Sequence, residues 1–389
     1  MAINTSFNYF DHVVNRRRTD SIKWNRYDHD VLPMWVADAD YMCPPPIIQA
    51  LHKRVDHGIF GYAQEPQQLR AILADHLYDH HRWKVAPETM VFLPGVLNAL
   101  DLVYRAIAKP KDGVLVQTPI YPPFLQNPPH AGLILQCVEL PQATDGSYEI
   151  DFREFEDKIK DNTYLFTLCN PHNPTGRSFN RIEVEQMAEI CLKHGVVICS
   201  DEIHCDLVYH ENQHIPIASL DREIADSTIT LIAPSKSFNI AGLKFAAAIV
   251  PNPDLRRKLI DAKEDLHLEI NSLAYTAALA AYRDCRSWLM DIVSYLDTNR
   301  EILVQFVNDD LPGVHMAKPE STFLAWLDCR ATGIPGNPSN YFLDHARLAV
   351  NDGAEFGAGG KGFIRLNFGC SKTTLLEGLK RIKHALNKR

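Results

Sequence analysis

Residues 233–244 read Ala233-Pro-Ser-Lys-Ser-Phe-Asn-Ile-Ala-Gly-Leu-Lys244, placing one lysine, Lys236, among small and hydroxyl residues directly after the apolar run Thr228-Ile-Thr-Leu-Ile-Ala233. A run of that composition is expected to be a buried strand. A lysine just past its end sits where loss of water disfavours the ammonium form, which makes the amine nucleophilic near neutral pH. That is how a Schiff-base lysine arises. A strand-end lysine can equally snorkel, laying its stem on apolar surface and keeping its charge in water. The residues at the other strand ends separate the two readings.

Working outward, short apolar runs alternate with helical stretches. Residues 89–93, 114–117, 133–138, 164–169, 196–200, 228–233 and 245–250 are expected strands, with helices at 96–108, 151–159 and 180–194 between them. Continuous apolar strands separated by helices mean a mostly parallel central sheet covered on both faces, an α/β fold. Residues 1–43 read as an N-terminal arm, and helices are expected at 44–57 and 67–81. After Pro253 the pattern changes to long helices at 254–282 and 286–308. These are followed by a strand at 322–327, a helix at 339–345, the Gly-rich turn 356–362, a strand at 363–367 and a helix at 372–387. The expected division is a large domain at 44–285 and a smaller α+β domain at 286–389 that the arm joins. His76, His80 and His81 are expected on a solvated helix face, because no carboxylate or cysteine stands nearby at ligand spacing, and no metal is expected.

With 40 basic and 48 acidic side chains the formal charge of the 389 residues is −8, and no basic block offsets it, so nucleic acid and anionic membranes are not expected partners. Arg16-Arg17-Arg18 precedes no apolar segment of the signal-peptide kind, and no apolar run is long enough to span a bilayer. The nine cysteines include no C-x-x-C pair and several lie in apolar runs, a usage that fits a reducing compartment; a cytoplasmic protein is expected.

In an open α/β sheet, ligands bind beyond the carboxyl ends of the strands. Pro94-Gly95-Val96-Leu97 opens a helix there and suits a phosphate. Thr118-Pro-Ile-Tyr121 brings an aromatic ring to the same edge, Asn170-Pro-His-Asn-Pro-Thr-Gly176 is a tight loop, and Ser200-Asp-Glu-Ile-His204 sets Asp201 at a strand end. A pyridine-based cofactor needs such an acid to keep its ring nitrogen protonated.

With these residues in this order, the chain resembles the class I/II aminotransferase group of fold-type I pyridoxal 5′-phosphate (PLP) enzymes over nearly its whole length. Asn170 to Gly176 and Ser235-Lys-Ser-Phe-Asn-Ile-Ala-Gly242 carry the likeness. Within that group it is most similar to the cystathionine β-lyase, or C–S lyase, branch. The closer match rests on Pro33-Met-Trp-Val-Ala-Asp38, Gly61-Tyr62, Thr118-Pro-Ile-Tyr-Pro-Pro-Phe124, Ser200 to His204, Asn351-Asp-Gly-Ala-Glu-Phe356 and Arg365-Leu-Asn-Phe368.

The resemblance implies a role for each site residue. Lys236 would carry the cofactor and later move the substrate α-proton. Asp201 would pair with the pyridine nitrogen, Asn173 with the phenolic oxygen, and Tyr121 would stack on the ring. Gly95, Val96 and Ser235 would bind the phosphate, with Leu97, Ile203, His204 and Lys244 as further cofactor contacts. Arg365 would take the substrate carboxylate beside Ala37 and Asn173, a task suited to the planar guanidinium fork. Tyr62 would arrive from the neighbouring subunit of a homodimer and join Lys236 and Tyr121 in the catalytic set. Lys244 stands where many aminotransferases have arginine, and Pro122 where some lyase relatives have a second tyrosine. Trp35 and residues 352–362 are candidates to line the distal pocket. The implied activity is α,β-elimination from L-cystathionine or S-substituted L-cysteines to a thiol, pyruvate and ammonia. The same lysine also serves transamination, and a PLP-binding regulatory protein with low turnover is a third reading.

Overall fold

In the computed structural model, which describes residues 8–388, seven strands form one sheet. They are β1 (Met90–Leu93), β2 (Gly113–Thr118), β3 (Ile134–Glu139), β4 (Thr163–Cys169), β5 (Val197–Asp201), β6 (Thr228–Ile232) and β7 (Ala246–Ile249). Their order across the sheet is β1-β7-β6-β5-β4-β2-β3, with β7 antiparallel to both of its neighbours and every other pairing parallel. Six strands therefore end on the same edge, the edge that carries Asp201 and the approach to Lys236.

Alternate residues of each strand feed opposite cores. Val91, Val114 and Val116 face the helices Val96–Ile107 and Pro253–Asp265, whereas Leu115, Phe166 and Ile198 face Arg181–Lys193. Phe92 and Ala247 pack on that second side against Ser272–Asp284. With both faces covered, the strands gain nothing from polar alternation, which is why they read as unbroken apolar runs. Beside this sheet lies a smaller antiparallel one, in which Phe363–Asn367 pairs with Asn351–Asp352 and with Leu324–Asp328. The arm is tied to the same region, since Leu32–Pro33 runs parallel to Leu348–Ala349.

Two local expectations are corrected. The single helix expected at 254–282 is two, Pro253–Asp265 and Ser272–Asp284. The break has a visible cause: His267 adopts a left-handed φ of 50°, and the Asn271 side chain caps the second helix by accepting from the Ala274 N–H. Pro123–His130, to which the sequence reading assigned no element, is a helix despite prolines at 128 and 129. Second, His76 and His81 are buried and point at the Asp206 carboxylate, not at solvent. That acid lies 125 or more residues away along the chain, beyond the reach of local spacing. Among the described residues no helix is long and apolar enough to cross a membrane.

Candidate active site

The carboxyl edge of the large sheet opens on a cavity of ≈190 Å³. After β1, Gly95 takes a φ of 100° at the start of the helix Val96–Ile107. Only glycine adopts that conformation without strain, and a Cβ there would also point at the Lys244 side chain, 3.7 Å from its Cδ. The first N–H groups of the helix have no intrahelical partner, and they share the cavity wall with Ser235 and Lys244, an arrangement suited to an anion.

The loops after β2 and β4 are tied together, the Tyr121 N–H donating to the Asn173 carbonyl at 3.1 Å. Burial raises the pKa of the Tyr121 phenol and keeps it neutral. Asp201, the last residue of β5, is buried, and its Oδ1 accepts from the Ile203 N–H at 3.1 Å. Among the described residues no cation bonds to its carboxylate, and burial pushes its pKa up to about 7. Just past β6, the one-turn helix Pro234–Ser237 presents Lys236, whose Nζ donates to the Ala37 carbonyl at 2.5 Å. Burial first, and the charge of Arg365 second, hold this amine down to about 8. His204 lines the same wall; burial, then the Lys236 and Arg365 charges, keep its imidazole neutral.

Arg365 comes from the smaller sheet. Its Nη1 donates to Asn173 Oδ1 at 2.9 Å, and its Nη2 to the Trp35 carbonyl at 3.0 Å and to Asn351 Oδ1 at 2.7 Å. Among the described residues no carboxylate pairs with it, and burial lowers its pKa to about 10. A buried guanidinium held by neutral partners alone is a receptor for an anion. The backbone of residues 36–41 passes over the lysine, clamped from two sides. Asn239 Nδ2 donates to the carbonyls of Ala39 and Tyr41, at 3.1 and 2.6 Å, and Asn367 Nδ2 to those of Val36 and Asp38, at 2.5 and 2.8 Å.

The cavity thus gathers Ala37, Gly95, Val96, Leu97, Tyr121, Asn173, Asp201, Ile203, His204, Ser235, Lys236 and Lys244 from the sequence reading, with Arg365 bonded to its wall. Tyr62 does not line it; that side chain is 97% exposed on a separate loop. Trp35 contributes its carbonyl to Arg365, while its indole lies edge-on to Tyr27 and donates to the Lys23 carbonyl at 3.2 Å. From the Gly-rich segment, Phe356 sets its ring 5.0 Å beneath the Arg365 guanidinium. Asn98, Cys169 and Phe245 also face the cavity and carried no motif that marked them. A larger cleft of ≈670 Å³ shares no lining residue with this one, and its cations Arg177, Lys318 and Arg330 are already paired with carboxylates.

Residues 25–382 match the family model of aminotransferase class I and II. The chain belongs to that family. Among class I and II relatives it is 41% identical to the cystathionine beta-lyase PatB of Bacillus subtilis, over 97% of this chain and 100% of the relative. Two solved structures share the fold of the whole chain. Cystalysin from Treponema denticola, which contains a pyridoxal 5′-phosphate cofactor, superposes with a TM-score of 0.93 at 31% identity, covering 97% of this chain and 98% of its own. A PLP-bound putative aminotransferase from Clostridium difficile 630 gives 0.94 at 35% identity, covering 97% and 99%.

Proposed function

We propose that this class I and II protein binds pyridoxal 5′-phosphate in the cavity and is a C–S β-lyase, converting L-cystathionine and water to homocysteine, pyruvate and ammonia. The residues fit the cofactor on their own terms. Three ionisable groups at or beside the cavity, the buried Asp201 and Arg365 and the half-buried Lys236, form no salt bridge among the described residues, and charges withdrawn from water in that way are costly unless a ligand completes them. A pyridine N–H suits Asp201, an aldehyde suits the amine of Lys236, a carboxylate suits Arg365, and a phosphate suits the start of the helix Val96–Ile107.

When bound, PLP supplies an aldehyde that takes up amines and a pyridine ring that draws electrons from the substrate α-carbon. With the cofactor bound, Asp201 would hold a proton on the ring nitrogen, Asn173 Nδ2 would donate to the phenolic oxygen, and Tyr121 would bound the ring. Arg365 fixes the substrate carboxylate and so orients the α-hydrogen. Lys236 Nζ, whose pKa burial lowers to about 8, would be the base that takes the α-proton. The Cβ–S bond then breaks with its electron pair, and the thiolate takes up a proton as it leaves.

Elimination is favoured over transfer by the full-length likeness to a cystathionine β-lyase, the observation that carries this choice. Incubation with L-cystathionine and no 2-oxo acid, with L-alanine in parallel, tests it by a pyruvate assay. Equal amounts of pyruvate and homocysteine are expected from cystathionine and none from alanine. If product forms only after a 2-oxo acid is added, the protein is an aminotransferase. If the cofactor's visible band is present without turnover, the regulatory reading takes over.

Arg365→Ala is expected to raise KM for cystathionine roughly 10- to 150-fold, the equivalent of a charge-assisted bond worth about 1.5–3 kcal/mol, while the cofactor stays bound. An unchanged KM in steady-state kinetics would place the carboxylate elsewhere.

The same reading covers assembly. Tyr62, exposed beside the exposed Ile59 and Phe60, reaches the cavity of a second copy in a homodimer. The arm, described from residue 8 to 43, contributes to the small domain 286–389 beside the large domain 44–285, a division supported by the pairing of Leu32 with Leu348. Nine unpaired cysteines favour the cytoplasm.

A further inference from the structure

Ser237 directly follows Lys236, and on a helical turn successive side chains diverge. While Lys236 faces the cavity, Ser237 is buried on the other side and its Oγ donates to Asp206 Oδ2 at 2.8 Å. Asp206 lies in the turn after β5, and the lysine-bearing turn follows the neighbouring strand β6, so this bond joins the ends of adjacent parallel strands. The other oxygen of the same carboxylate, Oδ1, meets His76 Nε2 at 2.9 Å and His81 Nε2 at 3.2 Å, both from the helix Leu69–His81. His81, Cys205 and Asp206 bring potential ligand atoms within 4.8 Å of one another. Both carboxylate oxygens accept hydrogen bonds, so Asp206 ties the helix Leu69–His81 to the lysine-bearing turn.

A helix of four residues does not hold its own shape, since a first turn fixes several dihedral angles for a single hydrogen bond. Its geometry must come from tertiary bonds, and a charged acceptor makes the strong ones. Resting on the PLP reading above, we propose that Asp206, anchored by His76 and His81, is a positioning residue that acts through Ser237 to aim Lys236 Nζ into the cavity. It touches neither cofactor nor substrate. Its work is to keep the amine from swinging out of line, where a misplacement of about 1 Å costs on the order of 10²-fold in rate.

Ser237→Ala tests the tie, because it removes one oxygen from a buried site and leaves the anchor of Asp206 intact. Two measurements are made on it. In the cofactor-saturated enzyme, kcat for pyruvate release is expected to fall roughly 10- to 100-fold with KM changed less than about threefold. In cofactor-free protein, the rate at which added PLP develops its visible band is expected to fall by a similar factor, a readout independent of turnover. Asp206→Asn combined with Ser237→Ala should be no slower than the slower single variant, as expected of residues that act through one bond. A folded Ser237→Ala protein with wild-type kcat and wild-type capture rate would overturn the proposal, even if its Tm fell. Failure of the wild type itself to capture PLP would instead overturn the proposed function.

Discussion

Lys236→Ala is expected to lower pyruvate release by roughly four orders of magnitude or more and to abolish the visible band of attached cofactor. Two losses combine: the covalent anchor, and a general base worth about 10²–10⁴-fold by itself. The fold should survive. The substitution removes a half-buried ammonium whose one hydrogen bond among the described residues is to the Ala37 carbonyl, and it opens no hole in a packed core because the side chain borders the cavity. The sign of the stability change follows from the lowered pKa. Folding depresses the lysine from 10.5 to about 8, so between those values the unfolded chain holds more protons and stability rises with pH. Below pH 8 the wild-type protein without cofactor carries the whole cost of the buried charge. Cofactor-free Lys236→Ala should therefore melt at or above the wild-type Tm at pH 7, and lose that advantage toward pH 10. Thermal scans at the two pH values check this. Pyruvate release and the visible band persisting together in the variant would show that the lysine is not the attachment point.

The site was legible in sequence to the extent that it is built from strand ends. Asp201, Lys236 and Asn173 each follow an unbroken apolar run, and parallel strands covered on both faces must write such runs, so these positions could be located before any contact was known. What joins them was not legible. The bond between Arg365 and Asn173 spans 192 residues, and the clamps from Asn239 and Asn367 to residues 36–41 span about 200 and 330. Both asparagines stand inside quoted motifs, yet their partners are backbone carbonyls, which leave no residue type to read. The histidines of the helix Leu69–His81 misled for another reason: a polar face at helical spacing describes a solvated surface and a buried hydrogen-bonded cluster equally well, and their Asp206 partner lies 125 or more residues away. The hidden N-cap at Asn271 was a local signal, and the good helix formers on either side of it outweighed it.

Asp201→Asn is expected to cut kcat for cystathionine by about 10³-fold, or about 4 kcal/mol, while the cofactor remains attached to Lys236. The amide preserves the shape and can still accept from the Ile203 N–H, a bond of 3.1 Å in the native protein. It cannot carry the negative charge that keeps the pyridine nitrogen protonated, so the ring loses most of its pull on the α-carbon, and attachment and turnover should separate. Stability gives an independent check. Burial raises the Asp201 carboxyl from 3.8 to about 7, so in that window the folded protein holds a proton that the unfolded chain has released. Stability from this group is therefore lost as pH rises through about 4 to 7. Cofactor-free Asp201→Asn has no such titration and should match the wild type near pH 4 but exceed its Tm at pH 8. Adding PLP should reverse the order at pH 8, because a pyridinium turns the buried carboxylate from a cost into one half of an ion pair. Paired melting curves at pH 8, with and without PLP, measure this reversal. If the Tm order is the same in both, or if kcat stays at the wild-type value, Asp201 does not face the ring nitrogen.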